Sequence, residues 1–136
     1  MLRLSKIMVG LLILTISVSA QKKNTVKENN IRSVTEYKQD TEKKGANIKE
    51  SYTLFDADGN VLEQIDYDAT GKIKSHIKFQ FDSENNKTKE IDLSPEGKVL
   101  KTTEYKYSGD IRTEKNIYDA AGKLKTKRTY KYEYQK

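Results

Sequence analysis

The sequence predicts an all-β fold: an antiparallel up-and-down meander of about eight strands, forming a curved open sheet or half-barrel. Three observations carry this. From Ile48 to Tyr134, polar and apolar residues alternate with the two-residue period of a strand, and no long stretch follows the 3.6-residue period of an amphipathic helix. Short turn sequences cut the alternating runs, most of them opening on Asp or Ser and closing on Gly or Asn. The turns recur, with glycines at 59, 71, 97, 109 and 122 and Asn85–Asn86 filling the one long gap, so the repeating unit is one strand and one turn of 12 to 14 residues.

The chain divides into three parts. Residues 1–20 read as a signal peptide: Arg3 and Lys6 form a basic start, Ile7–Ile16 an apolar run, and Ser17-Val18-Ser19-Ala20 the small residues before a cleavage site. The apolar run is shorter than the roughly 20 residues of a membrane span, so no transmembrane segment is expected after cleavage. The chain has no Cys, and therefore no thiol for a lipid anchor or a disulfide. The expected location is secreted or periplasmic. Residues 21–30 are polar and aperiodic and read as a flexible leader, and 31–136 as a single β-repeat domain.

Within the domain, strands are expected near 31–37, 47–55, 60–67, 72–81, 86–93, 98–107, 111–118 and 123–134. In the first segment Val34 and Tyr37 fit a helix as well as a strand, so residues 31–45 stay open between the two. The fourth strand alternates throughout, with Ile73, Ser75, Ile77, Phe79 and Phe81 opposite Lys74, His76, Lys78 and Gln80. The eighth does the same, with Leu124, Thr126, Arg128, Tyr130, Tyr132 and Tyr134 opposite Lys123, Lys125, Lys127 and Lys131. Two residues after each turn glycine stands an aliphatic (Val61, Ile73, Val99, Ile111, Leu124), and eight after it Tyr67, Phe79, Tyr105, Ile117 or Tyr130. Plain alternation puts both positions on one dry face and leaves the other wet. A dry face has to be covered by curling, by closure into a barrel, or by a second copy of the chain in a homodimer.

The turn chemistry has its own logic. A type I turn closed by a residue with positive φ suits Gly or Asn, which escape the Cβ clash of that conformation. The Asp that opens the turn can accept hydrogen bonds from the backbone N–H groups just after it.

These units resemble the YD repeat of Rhs and teneurin-type proteins, where a Gly, a spacer, Tyr-x-Tyr-Asp and a Gly-Lys or Gly-Arg recur in tandem. Gly71-Lys72-Ile73 followed by Phe79-Gln80-Phe81-Asp82 matches with Phe for Tyr. Gly97-Lys98-Val99 with Tyr105-Lys106-Tyr107, and Gly122-Lys123-Leu124 with Tyr130-Lys131-Tyr132, match with Ser108 and Glu133 where Asp is expected. The likeness covers residues 52–134. It implies a curved β-sheet scaffold or surface-binding element that is not itself catalytic, and a second likeness runs to the Gly-Lys-rich repeats of bacterial antitoxins and immunity factors.

Charge points to the C-terminal end. Without residues 1–20 the chain keeps 24 Lys and Arg against 20 Asp and Glu, but residues 98–136 hold eleven against five. Lys123, Lys125 and Lys127 form a ladder that reads either as protection of an open sheet edge or as a patch for an anionic partner. The candidate binding residues are Tyr105, Tyr130, Tyr132, Lys123, Lys125 and Lys127, and the expected partner is an envelope or extracellular protein or an anionic glycan. Export makes nucleic acid a poor fit. No catalytic residue and no cofactor is expected: His76 is the single histidine and reads as a solvated strand residue, and Asp56-Ala57-Asp58-Gly59-Asn60 lacks the later ligands of a calcium loop. The expected function is a non-enzymatic binding or scaffold module. The alternative is a small β-barrel carrier of an apolar ligand.

Overall fold

The computed structural model describes residues 22–39, 41–42 and 45–136; the expected signal peptide lies outside the described residues. A short helix α1 (Lys23–Glu28) precedes eight strands: β1 (Ser33–Lys38), β2 (Ile48–Phe55), β3 (Val61–Tyr67), β4 (Ile73–Phe81), β5 (Lys87–Leu93), β6 (Val99–Ser108), β7 (Ile111–Asp119) and β8 (Leu124–Thr129). They pair in chain order, every neighbour antiparallel, in one eight-stranded sheet. The expected up-and-down meander is therefore the fold. β1 and β8 are the two ends of an open sheet, so the closed barrel that the carrier alternative needs is not formed.

The turns show why the strands fall where they do. Asp56, Asp68, Asp82 and Asp119 each accept the backbone N–H groups of the residues two and four further on, at 2.8–3.0 Å. Gly59, Gly71 and Gly122 (φ +81°) and Asn85 (φ +64°) take the left-handed conformation just before the turn closes. Ser94 replaces Asp in the β5–β6 turn, where its hydroxyl accepts from Lys98 N–H at 3.1 Å.

These turns also overturn the single dry face. After each of them the register shifts by one residue, as between Leu54 and Phe55 against β3, or Asp66 and Tyr67 against β4. An extra residue in a strand reverses the side on which every earlier side chain stands. Ile73 thus pairs with Tyr67, while Ile77 pairs with Gln64 on the opposite side of the sheet. The same slip parts Val99 from Tyr105 and Leu124 from Tyr130. Aliphatic and aromatic of one repeat lie on opposite faces, both faces are half covered, and every residue of β5 is intermediate in exposure. Among the described residues the buried apolar ones are Val26, Phe55 and Tyr105, joined by buried polar Thr53, Gln64, Thr103 and Asn116. Stability rests on strand pairing and cross-strand contacts, with no deep core.

The segment read from composition as a flexible leader contains helix α1 at Lys23–Glu28. Val26 of α1 is 1% exposed against the β2–β3 turn, and Val26, Ile31 and Phe55 line an open cleft of about 210 Å³ there. Lys27 pairs with Asp58 at 3.4 Å. The undecided segment 31–45 contributes strand β1. The last strand ends at Thr129 instead of 134, although Tyr130 N–H still reaches the Thr113 carbonyl at 3.1 Å.

Candidate functional site

The register sorts the sheet into two faces of different chemistry. One cross-strand row, Phe79–Glu90–Thr103–Ile117–Thr126, defines the first face, and Tyr105–Lys115–Arg128 forms the next row on it. Tyr107 and Arg112 are partners one step further toward the β6–β7 turn. The other face carries the row His76–Leu93, with Glu63, Lys78, Lys89, Glu104 and Lys127 beside it.

Over β5–β8, lysines and carboxylates of the second face pair with one another. Lys89 meets Glu104 at 3.1 Å, and Glu114 takes Lys106 at 3.0 Å and Lys127 at 3.1 Å. The Asn116 amide donates to Glu114 at 2.6 Å, and that bond with the two ammonium groups holds the Glu114 carboxyl down at about 2. His76, expected to be solvated, instead has its side chain only 13% exposed, with Nε2 2.6 Å from Glu63 Oε1 across the β3–β4 pair. A carboxylate absent from its own strand arrives from the neighbouring one. Asp56, the start of the calcium-like run, spends Oδ1 on the N–H groups of Asp58 and Asn60 and Oδ2 on the Asn60 amide, as a turn former does.

The first face is built around Tyr105, which is 8% exposed. Arg112 lays its guanidinium 4.3 Å over the ring, and Lys87 and Lys115 bring their ammonium groups within 5.5 and 5.7 Å of the same ring. Burial, and then the Glu90 carboxylate beside it, push the Tyr105 hydroxyl up to about 12. Lys87 is paired with Glu90. Arg112, Lys115 and Arg128 have no carboxylate partner among the described residues. Arg112 Nε is buried without a hydrogen-bond partner, and one terminal nitrogen lies 3.4 Å from the Tyr107 hydroxyl. A half-buried guanidinium with its charge unpaired can take up an anion from outside.

The structure splits the six residues singled out from sequence. Tyr105 is the centre of the first face. Tyr130 and Tyr132 border it, 37% and 48% exposed, and the Tyr132 hydroxyl donates to the Arg112 carbonyl at 2.5 Å. The three lysines are elsewhere. Lys127 is on the second face with Glu114, while Lys123 and Lys125 sit in the β7–β8 turn and the bulge after it, where Lys125 meets Asp119 at 3.4 Å. Sequence reasoning missed Lys87, Arg112, Lys115 and Arg128 as a group, because they stand on three strands, β5, β7 and β8, and the bulged register sets which of them share a side. Compared with known proteins, the chain matches no family model and no curated protein.

Proposed function

We propose that the protein is an exported, non-enzymatic β-repeat binding module that holds an anionic envelope or extracellular partner against the first face of its sheet. One observation carries the reading: across β5–β8 the second face pairs Lys89, Lys106 and Lys127 with Glu104 and Glu114, whereas the first gathers Arg112, Lys115 and Arg128, unpaired among the described residues, around a tyrosine cluster. The signal-peptide-like start supports export, and the likeness to YD repeats supports a scaffold or surface-binding role. Among the described residues no helix is long and apolar enough to cross a membrane.

The test is co-sedimentation of the purified protein with washed cell-envelope material. Binding is expected to weaken as salt rises and to fall in the double variant Tyr130→Ala/Tyr132→Ala, whose circular dichroism should match the parent. Retention by that material with no dependence on salt or on either variant residue would remove the first face as the site.

A further inference from the structure

We propose that the first face is a site for carboxylate-bearing sugars, that is, for an acidic polysaccharide of uronate type. The inference rests on the binding-module reading and narrows its ligand. Lys115 and Arg128 are directly paired across strands β7 and β8, and Arg112 stands one row further along β7 toward the β6–β7 turn, so the three charges cluster at that end of the sheet. Neighbouring strands lie about 4.8 Å apart, so the paired Lys115 and Arg128, with Arg112 in the next row, present a compact cluster of cations to a chain with repeated anionic groups. Glu90, whose carboxylate lies beside Tyr105, is already engaged by Lys87.

The uncharged surface at the same end is tyrosine. Tyr130, Tyr132 and Tyr134 are 37%, 48% and 74% exposed, and each offers a flat apolar ring with a hydroxyl at its tip. Sugar rings present C–H faces and hydroxyls together, and a guanidinium meets a carboxylate with two parallel hydrogen bonds. A bilayer fits less well. The exposed aliphatics Ile48, Val99, Leu100 and Leu124 begin their strands at the opposite end of the sheet, so apolar and cationic surfaces are a strand length apart. Single-stranded nucleic acid would use the same open tyrosine rings and cations, and the reading of the chain as exported disfavours it.

Isothermal titration calorimetry on the purified full chain tests this with four probes: a galacturonate oligomer, the same oligomer with its carboxyls reduced to alcohols, a single-stranded DNA oligomer, and phosphatidylglycerol vesicles. The galacturonate oligomer is expected to bind and its reduced form not to. The double variant Lys115→Gln/Arg128→Gln should lose about tenfold in affinity, and Lys125→Gln, at the far end, should keep it. If galacturonate fails while vesicles or DNA bind in the same Lys115/Arg128-dependent way, the sugar assignment is overturned and the anionic first face survives. If no probe binds and envelope material is not retained either, the binding-module reading falls with it.

Discussion

Gly59 and Lys23 are in contact so close that a Cβ on Gly59 would lie 2.5 Å from the Lys23 carbonyl oxygen. The helix therefore docks on bare backbone at the β2–β3 turn. Gly71 has the same φ of +81° but nothing within 4 Å of its Cβ position, which makes it the matched control. Gly59→Ala and Gly71→Ala should each lose about 1 kcal/mol for the left-handed backbone. Only Gly59→Ala should also release α1, seen as faster amide hydrogen exchange at Val26 and Asn29. Equal exchange in the two variants would show that the contact does not hold the helix.

How much of this was legible follows from the length scale of each cause. Turns were legible because Asp56, Asp68, Asp82 and Asp119 act on N–H groups two and four residues away, a range that a reading of the sequence covers. Helix α1 was not, since a helix of six residues does not stand alone in water and here depends on Val26 packing against a turn some thirty residues later. The face assignment failed for a third reason. A one-residue bulge after each turn leaves alternation intact on either side of it and reverses the relation between the two sides, so periodicity within a strand cannot report it. Tyr105 was found as an aromatic of the repeat, while Arg112 became its partner only through the shift between Lys106 and Tyr107.

Glu114 should make the protein acid-sensitive. The Asn116 amide, Lys106 and Lys127 hold its carboxyl at about 2, against an ordinary value of 4.5, and Asp68, Asp82 and Asp119 are likewise held below 3.8, by hydrogen bonds from Thr70, Asn86 and Lys123 respectively. A depressed folded pKa gives stability that is whole above the unfolded value and disappears as the group is protonated. The urea midpoint should thus fall as pH drops from 4.5 toward 2. Glu114→Gln should start lower at neutral pH and lose less on acidification; an unchanged slope would remove Glu114 as a source of the effect.

Tyr105 predicts the opposite limb. Its hydroxyl is raised from 10.0 to about 12 by burial and by Glu90, so the folded state favours the protonated phenol. That stability is complete below 10 and is lost as pH rises toward 12. Spectrophotometric titration should show a late tyrosine step as pH approaches 12. Tyr105→Phe should remove that late step and flatten the decline in stability across the same window, whereas survival of the late step would assign it to another tyrosine.

The lysines that do not join the first face have a different task, and it can be separated from binding. β8 is a terminal strand with one side of its backbone unpaired, and such edges template association with other strands. Lys125 and Lys127 stand on it with side chains 53% and 54% exposed, and charged groups on an edge oppose the approach of a second, like-charged edge. Lys125→Val/Lys127→Val should therefore bring concentration-dependent dimers or larger species in light scattering, while envelope binding by the remaining monomer stays as in the parent. A variant that stays monomeric but no longer binds would transfer these lysines from edge protection to the binding surface.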